Sequence, residues 1–238
     1  MQILRHKTDQ DATTHTVLTK KYLLAMLCAG GMAQAGLIFD NGSPNVTNAR
    51  DISLFRSADD FTVGAVTVGA VRFWITTTSP IQTDPQTNFS GSITYAIYND
   101  SAGSIGSLIT SGTVNGLVSV YSGLTHSGSN ANINVLDFNL LAPLSLSAGT
   151  YWLELHEGAT LSTSDGTNIG WELANDTSGN AKQGFAVDGL PVNGVNDELA
   201  FQLFDSPSGS VPEPQTLALV GAGLLFSAAG LRHRRNTR

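Results

Sequence analysis

The feature that most constrains the fold is a series of short segments in which apolar residues alternate with polar ones. Alternation places the apolar side chains of a strand on one face, whereas a helix needs a period of about 3.6 residues. Between positions 36 and 206, no window longer than about ten residues shows a convincing helical period. The five clearest alternating runs are 71–75, 93–97, 136–140, 151–155 and 199–203.

Turn-forming residues separate these runs, for example at Asn99-Asp100 and Asp188-Gly189. Roughly ten strands over about 170 residues are typical of two packed antiparallel sheets. The sequence therefore predicts an all-β fold over residues 36–206, a two-sheet antiparallel β-sandwich with jelly-roll-like connectivity.

The charge of this central region excludes several classes of partner. Residues 36–206 contain sixteen carboxylates and only four basic residues, a formal net charge of −12. Such a domain repels nucleic acid and anionic membranes at long range, so no nucleic-acid partner is expected. Neutral glycans, divalent cations and basic partners remain compatible with it. The chain's only cysteine, Cys28, precedes this region, which excludes a disulfide or thiol chemistry within it.

The N-terminal end has the order of regions that a secretory signal peptide requires. Lys20 and Lys21 precede the apolar run 22–29, which is too short to span a bilayer, and small residues follow. We therefore predict that residues 1–35 are a signal peptide removed by signal peptidase. The polar start is long, and translation beginning near residue 17 is an alternative. The residues at the predicted cleavage site are Ala33, Ala35 and Gly36.

The C-terminal end combines a short motif, an apolar segment and a basic cluster. An uncharged spacer at 207–210 leads into the motif, and residues 216–231 contain no charge. At about 1.5 Å per residue, a helix of this length approaches the roughly 30 Å hydrocarbon core of a membrane. We predict one hydrophobic membrane helix there, with the basic cluster held in the cytoplasm. The motif is Val211, Pro212, Glu213 and Pro214, and the basic anchor is Arg232, Arg234 and Arg235.

This order of motif, apolar helix and basic cluster resembles the PEP-CTERM sorting signal of exported proteins of Gram-negative bacteria. The resemblance covers residues 211–238, and residues 211–214 match the motif position by position. It implies export through the inner membrane, transient anchoring, and cleavage by an exosortase near the motif. Release to the cell surface or to an exopolysaccharide biofilm matrix would follow. The alternative interpretation is a permanent membrane anchor.

The central region bears a more diffuse resemblance to β-sandwich domains of exported bacterial surface proteins. It rests on Asp59-Asp60-Phe61, Phe73-Trp74 and residues 93–98 and 148–153. This resemblance implies a fold rather than an activity.

Three tryptophans, together with Tyr98 and Tyr121, are candidates for contact with extracellular polysaccharide. By alternation, Trp74 and Trp152 point away from the apolar faces of their strands, which would expose them as a stacking platform for sugar rings. Trp171 is the third of these tryptophans. The alternative is that these side chains cover the edge of the core, as large aromatic residues commonly do.

Two acidic pairs flank the apparent first and last strands, which often pair in sandwiches. Four carboxylates meeting there would bind Ca²⁺ through oxygen ligands, and no other cofactor is expected. The alternative is that these residues are edge charges that deter aggregation. The four residues are Asp59, Asp60, Asp197 and Glu198.

No catalytic constellation emerges from the sequence. Glu154 and His156 share one face of a strand and Glu157 follows, which suits acid–base chemistry, but a solvated strand face is the simpler interpretation. The favoured function is therefore a non-enzymatic structural or adhesive surface protein. The alternatives are a carbohydrate-binding module and a glycoside-processing enzyme, which needs two carboxylates about 5–10 Å apart across a cleft.

Overall fold

The alternating runs of the sequence become strands of two facing antiparallel sheets. The computed structural model of the protein describes residues 36–78, 84–127, 129–163, 166–175, 179–186, 189–191 and 193–205. These residues belong to a compact unit that spans positions 35–208. The predicted signal peptide, sorting motif, membrane helix and basic anchor lie outside the described residues.

Thirteen strands and one short 3-10 helix (Pro85–Thr87) are described. The strands are β1 (Leu37–Asp40), β2 (Pro44–Asp51), β3 (Phe55–Val63), β4 (Val66–Thr77), β5 (Ser92–Asp100), β6 (Ile105–Asn115), β7 (Val120–Thr125), β8 (Asn132–Leu146), β9 (Gly149–Glu157), β10 (Ile169–Ala174), β11 (Lys182–Phe185), β12 (Asn193–Gly194) and β13 (Phe201–Asp205). Within the described ranges, no helix reaches the length and apolarity that crossing a membrane requires.

The long strand β4 organises the first sheet. One edge of β4 pairs with β8, and its other edge pairs with β13 and then with β10. The sheet therefore runs β1-β13-β4-β8-β7, with β10 and β2 continuing beside the end of β4. The second sheet has the order β12-β11-β3-β9-β5-β6.

The connectivity is that of a jelly roll. If the eight strands β1, β3, β4, β5, β6, β8, β9 and β13 are counted from one to eight, the first sheet has the order 1-8-3-6 and the second 2-7-4-5. Apart from the fourth and fifth, which form a hairpin in the second sheet, successive strands cross between the sheets, which gives two interlocked Greek keys. The predicted all-β, two-sheet antiparallel sandwich is confirmed.

The core lies between the sheets and is built from the predicted apolar faces. All five alternating runs contribute to one cluster of buried side chains, in which several aromatic rings contact one another. Phe73 makes edge-on contacts with Phe138 and Trp171, at centroid separations of 6.1 and 6.0 Å. Such contacts between rings stabilise the core beyond the burial of apolar area.

Candidate functional site

The outer face of the second sheet carries a buried polar cluster where the sequence predicts solvent. Alternation along β9 turns Trp152, Glu154 and His156 away from the core, and Arg56 on β3 and Tyr98 on β5 join them. All five side chains are buried, partly because Leu161 and Thr163 of the segment after β9 contact this face. We call these five residues the outer cluster: Arg56, Tyr98, Trp152, Glu154 and His156.

Glu154 is the centre of the outer cluster. Its carboxylate accepts hydrogen bonds from Arg56 at both oxygens, one of them from Nη2 at 2.9 Å, and from the Tyr98 hydroxyl at 2.6 Å. The Arg56 Nη2 atom also donates to the Tyr98 hydroxyl oxygen at 3.2 Å. A bidentate arginine–carboxylate pair is among the stronger polar contacts in proteins.

Burial and the Glu154 carboxylate raise the pKa of Tyr98 above its usual range. Burial also opposes the charge of Arg56, but the hydrogen bond and charge of Glu154 outweigh it, so the pKa of Arg56 is raised as well. The Tyr98 hydroxyl and the Arg56 guanidinium therefore keep fixed protonation states around neutral pH, which suits a structural role.

His156 is fixed at both ring nitrogens. Nδ1 lies 2.8 Å from the carbonyl oxygen of Phe55, and Nε2 lies 2.5 Å from that of Thr163. Carbonyl oxygens only accept hydrogen bonds, so both contacts are hydrogen bonds only when both nitrogens carry a proton. The expectation of a solvated face at Glu154 and His156 is wrong, because the segment after β9 contacts that face.

The prediction that Trp152 is exposed is wrong for the same reason. Its ring is fully buried, its Nε1 donates to Asp100 Oδ1 at 2.9 Å, and the Lys182 ammonium lies 5.7 Å from the ring centroid. The alternation predicted its direction correctly, but it carries no information about what covers that face.

The other two tryptophans do not complete a platform for sugar rings. Trp171 lies in the core, fully buried, and its Nε1 donates to the Ala200 carbonyl at 2.8 Å. Trp74 is half-buried on the outer face of the first sheet. A stacking platform formed by Trp74, Trp152 and Trp171 is therefore excluded, because two of the three rings are inaccessible.

The structure brings two of the four predicted calcium ligands together. The amide of Asn41 joins the two, since its Nδ2 lies 3.0 Å from Asp59 Oδ2 and 2.9 Å from Glu198 Oε2. The amide of Leu199 also donates to Asp59 Oδ2, at 2.6 Å. Burial and the charge of Glu198 raise the pKa of Asp59 well above its usual range.

The other two predicted ligands do not converge on this point. Asp197 forms an ion pair with Arg50, whose Nε donates to Asp197 Oδ2 at 2.7 Å. Asp60 lies opposite Trp152, on the face of β3 that is turned away from Asp59. A four-carboxylate calcium site is therefore contradicted, and the described residues contain no group of three or more side chains placed to hold a metal ion.

Glu172 on β10 is a buried carboxylate that the sequence analysis did not single out. Its side chain is fully buried, and neither carboxylate oxygen has a hydrogen-bond partner among the described residues. Burial raises the pKa of Glu172 to about 8. The group is therefore largely protonated at neutral pH, as expected for a carboxyl without a compensating charge.

A different surface carries the exposed apolar side chains. Strands β6 and β7 lie at the ends of the two sheets, and the segment that contains them, residues 101–136, has no Asp, Glu, Lys or Arg. We call β6, β7 and the 116–119 connection between them the uncharged flank. It includes five of the nine exposed large apolar residues in the described ranges. These five are Leu108, Val118, Val120, Tyr121 and Leu124.

Comparison with family models identifies the C-terminal segment. Residues 210–235 match the family model of the PEP-CTERM protein-sorting motif. The chain carries this sorting motif. The predicted resemblance is confirmed, and the motif marks an exported protein that is sorted by an exosortase toward the cell surface. No curated protein matches the chain.

The sequence reasoning located the sorting motif but missed the uncharged flank. The absence of charge over residues 101–136 was a signal that could have found it, because it stands out in a domain with a net charge of −12. Of the aromatic residues that the sequence proposed for contact with sugar rings, Tyr121 is exposed on this flank, whereas Tyr98, Trp152 and Trp171 are buried.

Proposed function

We propose that the sorted domain is a non-enzymatic structural or adhesive component of the extracellular matrix at the cell surface. The observation that carries this proposal is that three buried polar groups of the domain are hydrogen-bonded within the fold. The side chains best suited to catalysis, Glu154, His156 and Asp59, are bonded to other parts of the fold. They hold strands and loops together, and their bonding atoms face the protein.

The proposed route to the surface follows from the two ends of the chain. Signal peptidase releases the domain at Gly36, and the apolar segment 216–231 retains it in the inner membrane until exosortase cleaves near residues 211–214. The basic residues that follow the apolar segment support this orientation, because such residues stay in the cytoplasm.

The adhesive role is tested by replacing the domain while both terminal signals are kept. Three chains are expressed in a Gram-negative host that has an exosortase. They are the wild type, a tail variant with Pro212→Ala and Glu213→Ala, and a chimera in which residues 36–205 are exchanged for an unrelated β-sandwich. Cell attachment is measured together with the amount of each chain in the matrix fraction.

We expect the wild type and the chimera in the matrix fraction, with the tail variant retained in the membrane fraction. Only the wild type should increase attachment. If the chimera promotes attachment equally well, the domain has no adhesive role. If all three chains reach the matrix equally, the motif does not direct their sorting.

A carbohydrate-binding module is the second candidate function, and Tyr121 is the observation that favours it. Its ring is 52% exposed on the uncharged flank, where Ser, Thr and Asn side chains can hydrogen-bond to a neutral glycan. Stacking of sugar rings on exposed aromatic side chains is driven by apolar contact and ring geometry. A pull-down with extracted exopolysaccharide would show retention that Tyr121→Ala abolishes. Equal retention of the two chains would contradict this function.

A further inference from the structure

Strand β7 is an uncovered strand at the end of the first sheet. Within the described residues it pairs only with β8, so its second edge has no strand partner. Val120 and Tyr121 are consecutive and therefore point to opposite faces, yet they are 60% and 52% exposed. Neither face of β7 is thus covered by the second sheet at these positions.

Apolar side chains continue on both sides of these two residues. Val118 is 69% exposed and Leu124 is 38% exposed. An edge strand that shows apolar side chains on both faces is a template for pairing with another strand. We propose that a second copy of this domain docks there, β7 against β7, about a twofold axis.

Charge is the reason for choosing a second copy as the partner. Two domains with a net charge of −12 each repel one another over most of their surfaces. The uncharged flank brings no Asp, Glu, Lys or Arg of its own to a contact between copies, and the acidic residue beside it in space, Asp84, is contacted by Asn134 Nδ2 at 3.5 Å. Residues 101–136 contain no charged residue, and the nearest in sequence, Asp100 and Asp137, are engaged by Trp152 and Arg72.

The edge strands at the other side of the sandwich differ in this respect. β2 carries Arg50 and Asp51, and Lys182 begins β11 beside the short strand β12. Charged side chains on an edge oppose pairing with a further strand. Of the sheet ends described here, β6, β7 and the two-residue strand β12 carry no charged residue, and β12 is too short to pair extensively with a further strand.

The geometry of β7 favours a closed pair over a growing fibre. Antiparallel pairing of two identical edges is self-complementary: wherever one residue of the first copy contacts a second residue of the other copy, the reverse contact also forms. A bulge between Tyr121 and Leu124, with Gly123 at a φ of +86°, interrupts the edge. Only short segments on either side of the bulge are available for pairing, so the association is expected to be weak and reversible.

This inference goes beyond the proposed surface role, because it concerns the domain alone in solution. Residues 35–208 form a compact unit with its own core, so the isolated domain, residues 36–208, is a suitable sample. Sedimentation velocity is measured over roughly a hundredfold range of protein concentration, at low and at high salt. A reversible monomer–dimer equilibrium is expected. Salt should strengthen it, because screening weakens the repulsion between two acidic copies.

Two matched variants locate the interface. Val120→Glu adds a carboxylate from each copy to the proposed interface and should raise the dimer dissociation constant at least about tenfold. Leu37→Glu adds the same charge at a similarly exposed position on β1, 54% exposed, and should leave the dissociation constant nearly unchanged. Circular dichroism and thermal unfolding verify that both variants are folded.

Three outcomes would overturn the proposal. They are a wild-type domain that stays monomeric at every concentration and salt level, equal weakening by the two variants, and a monomer whose β7 instead binds extracted polysaccharide in a Val120-dependent manner.

Discussion

The outer cluster and the uncharged flank differ in the polarity of their side chains and in how far those side chains are buried. In the outer cluster, Arg56, Glu154 and His156 are charged or polar and fully enclosed by bonding partners. On the uncharged flank, Val120 and Tyr121 are apolar or amphipathic and open to solvent. The titratable side chains of the outer cluster therefore help to maintain the fold, whereas the apolar side chains of the uncharged flank are available for contact with other molecules.

The largest expected difference between the two regions concerns the buried ion pair. Glu154→Ala leaves the Arg56 guanidinium enclosed without a counter-charge, which should cost about 3–5 kcal/mol of the free energy of unfolding. Asp137→Ala is the matched control, since it removes an equally bidentate partner from Arg72 at the surface. That change should cost less than about 1 kcal/mol. Urea denaturation measures both, and similar costs would show that the outer cluster is not structural.

A second comparison pairs two tyrosines. Tyr95→Ala removes a ring that is almost fully buried and whose hydroxyl accepts a hydrogen bond from the Leu141 amide at 3.0 Å, so about 3 kcal/mol should be lost. Tyr121→Ala on the uncharged flank should change the free energy of unfolding by less than about 0.5 kcal/mol. A large loss at Tyr121 in the monomer would mean that the flank is part of the folding core.

The buried carboxyl of Glu172 predicts a pH dependence. Its pKa is about 8 in the folded chain, compared with an ordinary value of 4.5, so the folded state holds a proton that the unfolded state releases between those values. Through this group, the free energy of unfolding is therefore highest below pH 4.5 and falls as the pH rises to about 8. Glu172→Gln removes this loss, so the free energy of unfolding of the variant should rise steadily relative to that of the wild type across that window.

The measurement is the urea midpoint of the two chains from pH 4 to pH 9. The raised pKa of Asp59 changes the pH dependence of stability in the same direction in both chains, so the difference between the two midpoints isolates the effect of Glu172. Parallel curves would contradict an uncompensated carboxyl at this position.

The smallest expected effect concerns the bridge between two carboxylates. Asn41→Ala removes the amide that contacts Asp59 and Glu198 and should cost about 1–2 kcal/mol. Asn99→Ala is the control, because its amide bonds only to the exposed hydroxyl of Ser107 among the described contacts. Thermal unfolding of both variants is sufficient, and equal melting temperatures would show that the bridge is not needed.

The sequence predicted the sheets better than it predicted the sites, for a physical reason. Alternation states which face of a strand is apolar, and it placed Phe73 and Leu153 in the core and turned Trp152 outward. It does not state what lies over the outer face, so the burial of Glu154 and His156 could not be anticipated.

β7 and β10 were among the strands missed, for different reasons. β7 is exposed on both faces and shows no period of two. β10 does alternate, with Ile169, Trp171 and Leu173 turned into the core, but this run of six residues was not recognised. The expected meeting of Asp59 with Glu198 did occur, although β3 and β13 belong to different sheets and do not pair. The C-terminal motif could be identified completely, because a sorting enzyme reads a linear segment and no tertiary contact is needed to recognise it.

Intact-mass spectrometry of the protein recovered outside the cell is the most direct test of export and sorting. The predicted mass is that of a chain beginning at Gly36 and ending near residues 211–214, without the apolar segment. Recovery of the full 238-residue polypeptide from the cytosol, with both ends intact, would contradict it.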